Sequence, residues 1–242
     1  MNQLDITNPR GFVNVFLNSI SKISEDCILN IEADKIKCLN STPDGTLVQL
    51  STFNNSNTFK QTLNVPDVKR LHKITSCITD AASLSLSVDT NSISYKSKDT
   101  RFKFYLLEDG ILTSPALSAE KIEKLQYDTE LEIPYDRLIN LVKGSSFANE
   151  TEKIYFYTDD NKLYGELTDR ERSNTDSFCT LLSDSVDCTI KPLAFNFENF
   201  RIITGTQCNS IKLKINTTLS VVRVDIERDN CYISYIISAL VK

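Results

Sequence analysis

The chain has 242 residues, 40% of them hydrophobic and 24% charged, the balance of an ordinary globular protein. No apolar run approaches the roughly 20 residues a membrane-crossing helix needs, and the opening MNQLDITNPRG lacks the basic and apolar regions of a secretory signal, so an intracellular protein without a membrane partner is expected. The net charge of −5 argues against a nucleic-acid binder if the charge is evenly spread.

The first predicted helix covers 8–23. It puts Phe12, Val13, Phe16, Leu17, Ile20 and Ile23 on one face, with Pro9 in the first turn, where a missing N–H costs nothing. Strands are expected at 27–33, 35–40 and 46–52, the last two joined by the turn STPDG. A strand at 59–65 then meets Pro66 and Asp67 and gives way to a helix ending near Ile78. Its apolar stripe is Val68, Leu71, Thr75 and Ile78. Strands follow at 83–88, 92–97 and 101–108, with VDTNS turning the first pair.

The order then recurs. DTELEIP is a strand, and 134–144 is a helix with Leu138, Ile139 and Val142 inward and Gly144 as its stop. Strands come at 153–159, 162–169 and 176–183. KPLAFNF leads into a helix at 197–205, followed by strands at 210–216, 219–227 and 231–241. EIPYDRLINLVKG, LNVPDVKRLHKI, LAFNFENFRII and, more loosely, DITNPRGFVNVF are four versions of one entry into a helix. Segment 109–126 breaks the spacing and reads as a connector. The expected organisation is a domain over 1–108, the connector, and a similar domain over 127–242. The fold class is α+β, with two short helices per domain packed on one face of antiparallel sheet.

The charge is not evenly spread. The four helices carry eight basic residues, Arg10, Lys22, Lys69, Arg70, Lys73, Arg137, Lys143 and Arg201, against Asp67, Asp136 and Glu198. That is +5 in a chain of −5, leaving −10 elsewhere. The three acidic residues fall in first turns, where they cap or oppose the helix dipole. Asn14, Asn18 and Ser21 continue the polar face of the first helix. Exposed helix faces are often lysine-rich, which is the plain alternative. The sharper reading is a basic surface that meets phosphates without reading bases.

With these features the chain resembles the sliding DNA clamp family, which includes proliferating cell nuclear antigen and the clamps of tailed phages. The resemblance rests on the four helix entries, the three-strand runs after them, the connector, the charge split, and the ending SVVRVDIERDNCYISYIISALVK. The Asn-, Ser- and Lys-rich composition is closer in character to the phage members. A viral character is expected, with action in the cytoplasm of an infected bacterial host if the protein is viral and otherwise wherever DNA is replicated. The resemblance implies a head-to-tail homotrimeric ring around duplex DNA, with helices inside and sheets outside. It also implies that the ring tethers a DNA polymerase and is opened by a clamp loader. Subunits would pair through the edge strands 101–108 and 176–183, placing Phe102, Phe104, Leu106, Phe178, Thr180 and Leu182 at the interface; pairing within the monomer is the alternative. Partner peptides would dock on Ile111, Leu112 and Leu117 of the connector and on Ala239, Leu240 and Val241 of the tail.

No enzyme is expected, and no cofactor. One histidine, His72, removes most nucleophile–histidine–acid arrangements, and no glycine-rich phosphate loop is present. Asp159–Asp160 reads as turn chemistry. The seven cysteines are odd in number and include no Cys-x-x-Cys pair, so they read as packed thiols rather than disulfides or a zinc site. Two other functions stay open: a monomeric processivity factor of the same fold, and a β-rich structural or virion protein without a DNA role.

Overall fold

The computed structural model describes residues 2–79, 83–148 and 151–240. These form four repeats of one strand, one helix and three strands. The first is β1 (Asn2–Ile6), α1, β2 (Cys27–Ile31), β3 (Lys35–Ser41) and β4 (Leu47–Asn54). Here α1 denotes a π-helix, Gly11–Leu17, continued by an α-helical turn, Asn18–Ser21. The second is β5 (Gln61–Val65), α2 (Val68–Ser76), β6 (Leu84–Val88), β7 (Ser92–Lys96) and β8 (Arg101–Tyr105). A short helix, α3 (Ala119–Glu123), lies in the connector and buries Ile122. The third is β9 (Thr129–Pro134), α4 (Tyr135–Lys143), β10 (Lys153–Asp159), β11 (Lys162–Leu167) and β12 (Phe178–Ser183). The fourth is β13 (Leu193–Asn196), α5 (Phe197–Ile203), β14 (Ser210–Asn216), β15 (Val221–Arg228) and β16 (Cys231–Ser238).

Repeats are paired by exchanging their first strands. β1 joins β6, and β5 joins β2, both antiparallel, with Leu4 opposite Leu86 and Leu29 opposite Leu63. β9 joins β14, and β13 joins β10, in the same way. Each sheet is therefore completed by the neighbouring repeat. The chain divides into two compact units, Met1–Lys121 with Glu227–Ile233, and Ile122–Ile226 with Ser234–Lys242. The division falls inside the connector, and the tip of the last hairpin belongs to the first unit.

Each unit buries a trio of phenylalanines between helices and sheet. In the first, Phe12, Phe16 and Phe53 have ring centroids 5.4 to 6.0 Å apart. In the second, Phe156, Phe195 and Phe200 lie 5.1 to 6.2 Å apart. Such aromatic pairs add to the burial of apolar area. Hairpin turns are supplied by Asp160–Asn161 and Asp229–Asn230, all at positive φ, where Asx residues are tolerated.

The predicted stripes of α1 and α2 are buried as expected. In α4, Tyr135, Leu138 and Leu141 are buried, while Ile139 and Val142 are only half-buried. The reason is local: Leu141 presses on Gly165 of β11, where an added Cβ would meet its Cδ2 at 2.3 Å. Ser21, expected on the polar face of α1, is buried and donates to the Asn18 carbonyl. β1 is a strand that the sequence reading left out.

Gly11 is fixed by a close approach. The Asp229 carbonyl of the hairpin tip comes so near that a Cβ on Gly11 would sit 2.3 Å from it. Asn8 Nδ2 donates to the same carbonyl at 3.2 Å, while Asn8 Oδ1 accepts from the Gly11 amide and caps the helix start. The Asn54 amide donates to the Asn230 carbonyl at 2.9 Å.

Candidate nucleic-acid interface

In the first unit α1 and α2 pack against each other. Asp67 caps α2 by accepting from the Arg70 amide at 2.8 Å. Val68, Leu71 and Thr75 face the core, which leaves Lys69, Arg70 and Lys73 exposed. Arg70 lies over the Phe104 ring, 5.7 Å from its centroid. Lys69 and Lys73 have no carboxylate partner among the described residues. His72 is half-buried between them; burial first, then the charges of Lys22 and Lys73, holds its imidazole below the usual range. Burial likewise lowers the Lys22 ammonium. The structure thus brings Lys22, Lys73 and His72 together as one basic cluster.

The second unit treats its basic residues differently. Arg137 of α4 reaches back to β12, donating to the Leu182 carbonyl and to Asp184 at 3.1 Å. Arg201 of α5 pairs with Glu198 at 2.9 Å. Lys143 is exposed and has no carboxylate partner among the described residues. Tyr135, at the start of α4, donates its hydroxyl to the Thr204 carbonyl at the end of α5.

The strands expected to meet other subunits are edges, β8 in one sheet and β12 in another. Their side chains divide between the two faces of each strand. Phe104, Leu106 and Leu182 are buried, because alternate residues turn inward on a strand and these lie on the covered face. Phe178 packs on Gly144 just beyond α4. Phe102 stacks on Tyr95 at 5.9 Å and is half-buried, as is Thr180. The outward set on β8 is Arg101, Lys103 and Tyr105, with Lys103 over the Tyr105 ring.

Of the residues expected to receive partner peptides, Leu112 lines a cleft of about 480 Å³ with Leu39, Pro43, Lys22 and Lys69. Ile111 is exposed and Leu117 half-buried. Leu240 lines a second cleft, of about 590 Å³, with Phe197, Glu198 and Arg201. Its amide donates to the Ala194 carbonyl, and that of Ala239 to the Ser220 carbonyl. Val241 lies outside the described residues. Leu219 is 57% exposed in the β14–β15 turn, next to the Ser220 whose carbonyl accepts from the Ala239 amide.

The arrangement matches solved sliding clamps along its whole length. The structure described as the C-terminal region of FEN-1 bound to A. fulgidus PCNA superimposes with a TM-score of 0.78 at 13% identity, covering 100% of this chain and 99% of the other. PCNA from Thermococcus kodakaraensis gives 0.76 at 13% identity, covering 99% and 100%. The Entamoeba histolytica protein gives 0.75 at 11% identity, covering 99% of each.

The chain has the sliding-clamp fold.

No protein-family model matches the sequence, and no curated protein does. At such identities the likeness rests on the fold, and the sliding-clamp fold is carried here by strand exchange and helix caps rather than by shared motifs.

Proposed function

We propose that this protein is a sliding DNA clamp, a non-enzymatic ring that holds a DNA polymerase on duplex DNA without reading sequence. The observation that carries this reading is the full-length match to clamps in a chain whose helices are basic while the rest is acidic. Such a surface attracts phosphates over any sequence. The ring is a head-to-tail homotrimer, closed through the edges β8 and β12, and is opened by a clamp loader. The exposed set Arg101, Lys103 and Tyr105, together with the two backbone edges, supports that contact. Partner peptides dock at the clefts lined by Leu112 and Leu240. A solved neighbour described as bound to a FEN-1 segment supports peptide docking on this fold. The protein serves DNA replication, in an infected bacterial host if it is viral.

Retention on DNA tests the reading. Protein loaded on nicked circular DNA stays bound through a moderate-salt wash and is lost once the circle is linearised. Equal loss from circles and linear molecules would contradict an encircling ring.

A further inference from the structure

β3 and β4 pair antiparallel, and successive rungs on one face of the pair lie in the core of the first unit. Ile36 stands opposite Phe53, Cys38 opposite Ser51, and Asn40 opposite Gln49. Residues directly opposite share a face, and positions two apart return to it. All of these residues are 4% exposed or less. The first rung is apolar, and Phe53 packs on Phe12 and Phe16 of α1. The last rung is polar. Asn40 Nδ2 donates to the Ile20 carbonyl at the other end of α1, at 3.4 Å, and to Ser24 Oγ at 3.1 Å. This polar end is unfinished. Neither the nitrogen nor the oxygen of the Gln49 amide has a hydrogen-bond partner among the described residues, and the same holds for Ser51 Oγ and Asn40 Oδ1. The Cys38 thiol, opposite Ser51, is engaged with the Cys27 thiol of β2. A buried donor or acceptor left unpaired costs more than a made hydrogen bond gains, and folds satisfy such groups with protein or with ordered water.

We propose that this is a binding site for an internal water, held by the Gln49 amide, Ser51 Oγ and Asn40 Oδ1. Water both donates and accepts, so one molecule can serve the Gln49 N–H, the two amide oxygens and the Ser51 hydroxyl. A cation would take the oxygens and leave the Gln49 nitrogen unpaired. The middle rung gives it room, because Cys38 and Ser51 are both small between larger flanking pairs. Asn40 and Cys27 also line the cleft of about 480 Å³, which brings solvent to the edge of the site. The bound water ties β4 to β3, and Asn40 carries that tie to the last turn of α1. Lys22 follows this turn directly, so the water helps to fix where that cation stands.

The test joins a high-resolution crystal structure of the full chain with urea unfolding of variants. The density shows an ordered water within hydrogen-bond distance of Gln49 and of Ser51 or Asn40. Gln49→Leu fills the site with an apolar chain of similar length. It lowers the urea midpoint, because Ser51 and Asn40 are then left unpaired. Ser51→Ala lowers it as well, and the double variant loses less than the sum of the two, because both act through one water. A higher midpoint for Gln49→Leu would overturn the proposal, since replacing an amide that never had a partner relieves the fold. Density in which these side chains pair directly, with no water among them, would overturn it too. Should Gln49→Leu fail to fold, the wild-type density still decides.

Discussion

The two units share one repeat and one strand exchange but handle positive charge in opposite ways. Helices of the first carry Arg10, Lys22, Lys69, Arg70 and Lys73 against Asp67 alone, and Asp67 is occupied as a cap. Helices of the second carry Arg137, Lys143 and Arg201, and both arginines are bound to carboxylates. The same fold therefore carries more basic side chains on the helices of one half than on those of the other. Matching backbones do not imply matching surfaces: Lys69 and Lys73 of the first unit have no carboxylate partner among the described residues, whereas Arg137 and Arg201 of the second are paired.

The sharpest structural break comes at the tight glycines. Gly11→Ala drives a Cβ into the backbone carbonyl of Asp229, which cannot swing away. It destabilises by about 3 kcal/mol, read by urea unfolding. Gly165→Ala in the second unit meets the Leu141 side chain, which can move, and costs about 1–2 kcal/mol. Equal costs would mean that the hairpin tip is not a rigid anchor.

Charge removal separates the units next. Lys69→Ala with Lys73→Ala lowers duplex affinity about tenfold and flattens the salt slope by about 1.8. Arg137→Ala with Arg201→Ala changes affinity less than about threefold, since those charges are already countered. Equal losses in a fluorescence-anisotropy titration would erase the asymmetry.

Capping gives a smaller contrast. Asp67→Ala removes the side-chain bond to the Arg70 amide and costs about 1 kcal/mol in thermal unfolding. Pro134→Ala, at an α4 start with no side-chain cap, stays within about 0.5 kcal/mol. Smallest of all, Asp184→Asn changes stability by under about 1 kcal/mol, because the pair with Arg137 is surface-exposed. It releases Arg137 and tightens duplex binding by about twofold in the same titration.

Much of this fold was legible because its signals are local. A Pro or Asx at a helix start and strict alternation in the following strands announce themselves within a dozen residues, so four helices and most strands could be placed. β1 could not: NQLDI offers only Leu4 and Ile6, and its partner β6 lies some eighty residues away. The π-winding of α1 was equally hidden, since Phe12, Phe16 and Ile20 fit an ordinary α stripe. At the candidate site the two edge strands were legible in the sequence, but which of their side chains are buried in the chain was not. Which side of β8 or β12 is outward depends on where α2 and α4 pack, and Phe104 and Leu182 look as suited to an interface as to a core. Leu219 was read as the start of a strand, although the structure leaves it exposed in a turn.

The central claim is that copies of this chain close into a ring, and the most direct measurement is absolute mass by light scattering across a concentration series at moderate salt. The account predicts a species of three times the 27.4 kDa chain that falls to monomer on dilution. A strict monomer at every concentration would contradict the ring and leave a monomeric DNA-holding factor of the same fold.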